Sequence, residues 1–323
     1  MRKNFWLYFT SILLFLFCLN SQVFSEETQD VSVSEDTMQE AAAECTDGVC
    51  NINAKQIADE QQKKEIKVFF KDYEKAYNSH NVKKILAFHD ADYINSDGLN
   101  QIQYSKLLQR TFDNFPDIKT KIEILDITTN TKYVIVYLAE KKNATTKSAS
   151  KITNDNGLFI SEEKKIVYLE EFNGIWKIYS DNIIEEASVT SYGIGKDVSA
   201  ELIVPQKVLS DNDYSAAVFV FPPEGYSAMA SINNGQLSED YAHKSNGYRS
   251  VNRKTGLLER MFKANSENNN EYVIASVGFS KVSSSMFKDS ALDLKGMIML
   301  MKRVNIIPNT KNVELQKASE SAK

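Results

Sequence analysis

Apolar residues recur with helical spacing from about residue 55 onward. One face of the first predicted helix carries four of them, namely Ile66, Phe70, Tyr73 and Tyr77, because positions three or four apart lie on the same side of a helix. Asn81 has the side chain of an N-cap and predicts a short second helix over 82–89. A third helix is predicted over 101–114, where Pro116 ends it. Three helices therefore open the predicted folded region.

The period then changes from helical to alternating, which is typical of β-strands. Four strands rich in β-branched and aromatic residues are predicted, over 119–128, 132–140, 165–172 and 175–184. Asn173-Gly174 separates the last two and favours a tight hairpin turn. Residues 141–161 are polar and predict a loop or a loose hairpin. The pattern as a whole predicts an antiparallel sheet.

The chain is rich in strand-forming residues again beyond Gly193 and Gly195, which we interpret as a linker. Six strands are predicted there, over 200–208, 216–221, 226–232, 256–263, 272–281 and 295–306. A short helix is compatible with 283–292, and the polar residues 309–323 predict a flexible tail. Residues 198–308 are therefore expected to form a second, mostly β domain of sandwich-like architecture.

The first 25 residues have the pattern of a secretory signal peptide, with Arg2 and Lys3 before an apolar run of about 15 residues. That run is shorter than the roughly 20 residues that a membrane-spanning helix needs. Cleavage is expected between Ser25 and Glu26, followed by no stable membrane span. We therefore expect an extracytoplasmic location, in the periplasm, in the cell envelope or outside the cell. A retained anchor and lipidation at Cys18 are the alternatives.

Residues 26–54 contain eight acidic residues and no Lys or Arg. Such a segment has too little apolar surface to offset the entropy lost on ordering, so it predicts a disordered acidic leader. The whole chain has a formal net charge of −5 and no Lys/Arg-rich block. Nucleic acid is therefore not expected as a partner, because phosphate binding depends on concentrated positive charge.

Cys45 and Cys50 are separated by four residues. A local disulfide fits an oxidising compartment, and the alternative is that the two cysteines are incidental. The spacing is not that of a CxxC redox motif. Three scattered histidines (His80, His89 and His243) give no zinc pattern. We therefore expect neither a metal site nor a cofactor.

Two stretches resemble the nuclear transport factor 2-like superfamily, also described as SnoaL-like or cystatin-like. In the first, 73–93, a helix is followed by Asn81 and a short helix that ends among Asp residues. Many members have Asp where Asn81 stands. The second is the closing hairpin, 170–181, with its Trp176. The resemblance covers 55–186, less than half of the chain.

The resemblance implies an α+β domain over 55–188, with helices packed on a curved antiparallel sheet to form a cone around an interior pocket. Members include small-molecule enzymes as well as noncatalytic binding and dimerising domains, so this fold does not decide the function.

Enzymes of this superfamily place Asp, His or Tyr side chains inside the cone, where burial shifts their pKa values. The resemblance therefore makes His89, Asp97, Tyr77 and Tyr137 the candidate catalytic residues here. The residues expected to line the pocket are Phe70, Tyr73, Tyr77, His89, Tyr133, Tyr137 and Trp176. No pair of them has a spacing that identifies a known chemistry. Their alternative role is structural, with His89 hydrogen-bonded in the core and the tyrosines packed around it.

The sequence thus favours an exported, noncatalytic protein whose cone binds a small apolar ligand or a protein partner. A homodimer through the cone sheet is one form of that partnership. The first alternative is an isomerase, dehydratase or cyclase that uses His89 and a pocket Asp. The second is a structural component of the envelope with a filled cone.

Overall fold

A computed structural model describes residues 49–130, 132–236, 247–281 and 293–309. The predicted signal peptide, the predicted acidic leader as far as residue 48 (with Cys45), the predicted helix at 283–292 and the tail from 310 lie outside these residues. The chain divides into two units, 1–62 and 63–323. Only helical backbone at 49–62 is described in the first unit, and all contacts reported below belong to the second.

Three helices begin the described chain: α1 (Val49–Asn78), α2 (Val82–Leu86) and α3 (Gln101–Asn114). The Asn81 side chain accepts a hydrogen bond from the Lys84 amide, as expected of an N-cap. Asn100 and Gln103 form a capping box at the start of α3. Residues 49–54 belong to α1, so the predicted disordered leader is corrected at its C-terminal end.

Twelve strands follow: β1 (Lys119–Thr129), β2 (Tyr133–Ala149), β3 (Asn156–Phe172), β4 (Ile175–Gly193), β5 (Ala200–Ile203), β6 (Lys207–Leu209), β7 (Asp213–Val220), β8 (Tyr226–Gln236), β9 (Arg249–Ser250), β10 (Leu257–Lys263), β11 (Glu271–Lys281) and β12 (Leu294–Ile307). A large sheet has the order β1-β2-β3-β4-β12-β11-β8-β9, with β6 alongside β12. A small sheet has the order β10-β7-β5.

The hairpin predicted at Asn173-Gly174 is confirmed, with both residues at positive φ (50° and 80°). Of the two alternatives predicted for 141–161, the structure has the hairpin and not the loop, because β2 continues to Ala149 and β3 begins at Asn156. Three of the polar residues in this stretch, Lys141, Lys142 and Asp155, form ion pairs.

The predicted linker at Gly193 and Gly195 is also corrected. β4 continues to Gly193, and the next four residues form a short 3₁₀ helix, Ile194–Asp197. A Cβ placed on Gly296 would lie 2.6 Å from the amide nitrogen of Gly195, so this helix packs on β12 at a distance that only glycine allows. β4 pairs with β12 over seven residues and makes the large sheet continuous. The division into two domains near 188–198 stays a prediction.

Two hydrophobic cores lie on opposite faces of the large sheet. Helices α1–α3 cover the first core on β2–β4, and the small sheet covers the second core on β8, β11 and β12. The register shows the change of face, since exposed Ile160 is opposite Val189, and Val189 is opposite Leu300 in the second core. The predicted α+β class and sandwich-like C-terminal part are confirmed.

Candidate functional site

His89 lies between the end of α2 and strand β4. The second helix was predicted to include His89 but ends at Leu86. The backbone then pairs with β4, where the Ile178 amide donates to the Phe88 carbonyl (2.8 Å) and the Asp90 amide donates to the Ile178 carbonyl (2.9 Å). These hydrogen bonds fix the direction in which the imidazole enters the first core.

The His89 imidazole is buried and surrounded by aromatic rings. Its Nδ1 is 3.0 Å from the Ile85 carbonyl, and because a carbonyl only accepts, Nδ1 carries the proton. Ring centroids of Tyr93, Tyr104 and Tyr73 lie 4.7 to 5.9 Å away. Burial lowers the pKa of His89 to about 4, so the side chain is neutral at neutral pH.

The tyrosine hydroxyls around His89 are themselves hydrogen-bonded. The hydroxyls of Tyr73 and Tyr104 are 2.9 Å apart, and Tyr93 donates to Asp181 at 2.6 Å. Burial raises the pKa of Asp181, although Lys165 and the Tyr93 hydrogen bond oppose that rise. Asp181 is the carboxyl group held by this cluster, and no sequence pattern distinguishes it from other Asp residues.

The predicted pocket residues fall on two faces of the sheet. Phe70, Tyr73 and Tyr77 are buried in the first core, and Trp176 packs against it half-buried. Tyr133 and Tyr137 are corrected, because they alternate with buried Val134, Val136 and Leu138 and so project from the opposite face. Apolar residues occupy both the odd and the even positions of this strand, so sequence alone did not tell which of the two sets faces the helices.

Asp97 lies in the turn before α3 and makes a bidentate ion pair with Arg303 of β12 (2.5 and 2.8 Å). Asn270 also donates to Asp97, at 2.8 Å. Burial would raise the pKa of Asp97, but the hydrogen bonds and charge of Arg303 lower it below its usual range. This candidate acid is thus committed to an ion pair.

Three glutamates stand side by side on neighbouring strands, on the face that carries the first core. Glu140 of β2 is opposite Glu163 of β3, which is opposite Glu186 of β4. Lys142 and Lys165 each contact both Glu140 and Glu163, at 3.0 to 3.3 Å. We call these five residues the charge row.

The negative charges of the charge row are compensated by neighbouring hydrogen-bond donors and lysines. Thr120 donates to Glu140 at 2.8 Å, and Tyr272 donates to Glu186 at 2.5 Å. Burial opposes ionisation of Glu140, but Lys142 and Lys165 hold its pKa well below the usual range. Burial and the charge of Glu163 raise the pKa of Glu186. The only sequence signal was the Glu-Lys-Lys triplet, which occurs at 140–142 and again at 163–165.

These groups hold one another in hydrogen bonds and ion pairs, which favours a structural role for the interior of the cone. Over the described ranges, no group of three or more His, Cys, Asp and Glu side chains is placed to hold a metal ion. Nor is any helix in those ranges long and apolar enough to cross a bilayer.

The other face of β2 and β3 carries apolar side chains that the helices do not cover, and five of them adjoin one another. We call these the outer patch: Tyr133, Ile135, Tyr137, Ile166 and Tyr168. Ile135 is opposite Tyr168, and Tyr137 is opposite Ile166, so the patch is continuous across the two strands. Tyr133, Ile135 and Tyr168 are 47%, 41% and 36% exposed.

No protein-family model matches this sequence, and neither does any curated protein. Among solved structures, the chain is similar to Bd1075 of Bdellovibrio bacteriovorus (11% identity, TM-score 0.32), over 38% of this chain and 41% of that one. It is similar to a nuclear transport factor 2-like superfamily protein of Salmonella enterica (11% identity, TM-score 0.32), over 38% of this chain and 88% of that one.

A third similar structure is hexachlorocyclohexane dehydrochlorinase LinA-type3 of Novosphingobium barchaimii (10% identity, TM-score 0.33), over 40% of this chain and 88% of that one. The Salmonella protein belongs to the superfamily that residues 55–186 resemble. These likenesses concern the fold alone, and we infer no activity from them.

Proposed function

We propose that this is an exported, noncatalytic binding protein that attaches to a protein partner through the outer patch. The observation that carries the proposal is the exposed, continuous apolar surface on β2 and β3, behind an interior in which His89 and Asp97 are already engaged. Strands that are apolar on both faces are normally covered on both. A contiguous apolar patch of this kind on a surface often marks an interaction site.

The composition of the outer patch fits a protein interface. Three of its five residues are tyrosines, which are enriched at interfaces because they combine apolar area with a hydroxyl group. Lys132 and Glu170 form an ion pair at its border (2.9 Å), which gives the apolar surface a polar rim. A second copy of this chain is the partner that we test first.

The interior of the cone supports a noncatalytic role. His89 is neutral and enclosed by tyrosine rings, and Asp97 is bound to Arg303. Tyr77 lies in the core, where burial raises its pKa above its ordinary value. A small apolar ligand in the cone would have to displace these packed side chains, so a protein partner is favoured over a small ligand.

The test is sedimentation velocity on protein isolated from the envelope or medium of its host. Mass spectrometry first determines whether that protein begins at Glu26, as export with cleavage after Ser25 requires. We expect a concentration-dependent dimer that Ile135→Glu and Tyr168→Glu convert to monomer, because each places a charge in the apolar contact.

Met261→Glu is the matched control, since Met261 is 61% exposed on the small sheet and lies outside the outer patch. A wild-type protein that stays monomeric at about 100 µM, well above the Kd of a stable dimer, would refute the second copy as the partner. Retention of uncut residues 1–25 would refute the proposed processing.

A further inference from the structure

One side of the sandwich opens onto a small cavity between the two sheets. Strands β8, β9 and β10 surround it, and its wall includes Ala230, Ile232 and Leu258. Two arginines line the same cavity, Arg249 from β9 and Arg260 from β10. Basic groups and apolar side chains therefore meet at one opening.

Arg260 is held in place by the fold. It alternates with exposed Met261 and projects with Leu258 and Phe262 toward the second core. Its Nη1 donates to the Ile232 carbonyl at 2.9 Å, and its guanidinium lies 5.1 Å from the centre of the Phe262 ring. These contacts use one of five N–H donors and orient the planar group.

The two guanidinium groups have no anionic partner over the described ranges of the chain. Neither Arg249 nor Arg260 makes an ion pair there, whereas Arg303 does. Glu259 also lines the cavity, but its carboxylate accepts a hydrogen bond from Ser215, which projects from the opposite face of the small sheet. Burial and the positive charge of Arg249 both lower the pKa of Arg260, in keeping with a local excess of positive charge.

The surrounding sequence also has a positive net charge. Residues 249–263 contain five basic residues and one acidic residue, in a chain whose formal net charge is −5. The fold brings Arg249 and Arg260 together from the two ends of this segment. An anion near this opening is therefore attracted by a local excess of positive charge.

We propose that this cavity binds the oxyanion group of a ligand, a carboxylate or a phosphate, between Arg249 and Arg260. Guanidinium groups bind both kinds of oxyanion through paired N–H donors. The cavity itself has a volume of only about 10 Å³, so the oxyanion lies at its opening, where Arg249 is exposed. This site is separate from the outer patch and does not depend on the proposed partner there.

The experiment is calorimetric titration of the full processed chain with inorganic phosphate and with acetate, at constant ionic strength. We expect saturable binding of one or both, and the tighter of the two identifies the class of oxyanion. Arg249→Gln should weaken binding at least about tenfold, because an exposed charged donor pair is lost without disturbing the core. Arg249→Lys keeps the positive charge but loses the paired N–H donors of the guanidinium group, so it should weaken binding less.

Arg253→Gln is the matched control, since Arg253 is an exposed arginine in the same segment that does not line the cavity. It removes the same charge and should leave the affinity within about twofold. Equal losses in Arg249→Gln and Arg253→Gln would overturn the proposal, because they would show general attraction by charge. Absence of saturable binding by either anion up to about 10 mM, the limit of weak specific binding, would also overturn it.

Discussion

At the scale of the residue, His89 contributes to stability through its neutral form. Its folded-state pKa is about 4, below the value of about 6.5 expected in the unfolded chain. Between these two values the unfolded state binds more protons than the folded state. The contribution of His89 is therefore complete above pH 6.5, falls as the pH is lowered through this window, and is lost below pH 4.

We predict that His89→Gln weakens the pH dependence of stability between pH 7 and pH 4. The amide of glutamine still offers a donor for the Ile85 carbonyl but does not titrate. The wild type should lose about 3 kcal/mol more than the variant across this interval, from a shift of about 2.5 pH units. Urea unfolding at a series of pH values measures this difference, and parallel curves for the two proteins would contradict it.

At the scale of the element, β2 and β3 are stabilised by the charge row. Glu140 is 2% exposed and contacts two lysines, whereas Glu162 is 60% exposed and contacts Lys141 alone. We predict that Glu140→Ala lowers the free energy of unfolding by about 3–5 kcal/mol, since it leaves two largely buried lysines with Glu163 as their one ion-pair partner. Glu162→Ala should cost less than about 1 kcal/mol.

Chemical denaturation of the two variants measures that comparison. Equal losses would mean that the charge row stabilises no more than a surface ion pair does. The two variants can be compared because each removes a glutamate that forms an ion pair with a lysine on the adjacent strand. They differ in the burial of the glutamate and in the number of lysines that it contacts.

The same elements explain how much the sequence could predict. The three helices and the Asn173-Gly174 hairpin depend on neighbouring residues, and all were predicted. The extension of β2 and β3 was predicted only as a loop or a loose hairpin because most of its residues are polar. Only the register, which brings Lys142 and Lys165 beside Glu140 and Glu163, shows that the charges at its start neutralise one another.

The candidate site was harder to predict than the fold. Phe70, Tyr73 and Tyr77 share a buried face as their helical spacing suggested, and His89 packs beside Tyr73 although it lies beyond α2, but Tyr133 and Tyr137 point away. A strand that is apolar in both phases does not reveal which phase faces the core. The contact between Asp97 and Arg303 joins residues 206 positions apart, so no local pattern predicts it.

At the scale of the whole molecule, Arg303 links a residue beside the first core to residues of the strands that carry the second core. Besides Asp97, it donates to the Tyr272 hydroxyl (3.1 Å) and the Asn305 side chain (2.8 Å). Apart from this residue, the two halves of the large sheet are joined mainly where β4 pairs with β12. The Arg303 side chain therefore adds a second link to the backbone hydrogen bonds between β4 and β12.

We predict that the wild-type protein unfolds in one calorimetric transition and that Arg303→Ala separates it into two. The variant leaves buried Asp97 without its cation, which weakens the link more than either core. Lys302→Ala is the control, because Lys302 neighbours Arg303 on β12 and faces the other side; it should keep a single transition. A single transition that merely shifts to lower temperature in Arg303→Ala would count against this link.

The position of β12 also affects how the chain folds during synthesis. β12 is the last described strand in the sequence, but it lies in the middle of the large sheet, where Met297 pairs with Tyr192, more than 100 residues earlier. Until β12 emerges, β4 and β11 each present an unpaired edge. Such edges pair readily with other chains, and contacts so distant in sequence form slowly. We therefore expect a nascent chain of this protein to be prone to aggregation until β12 is made.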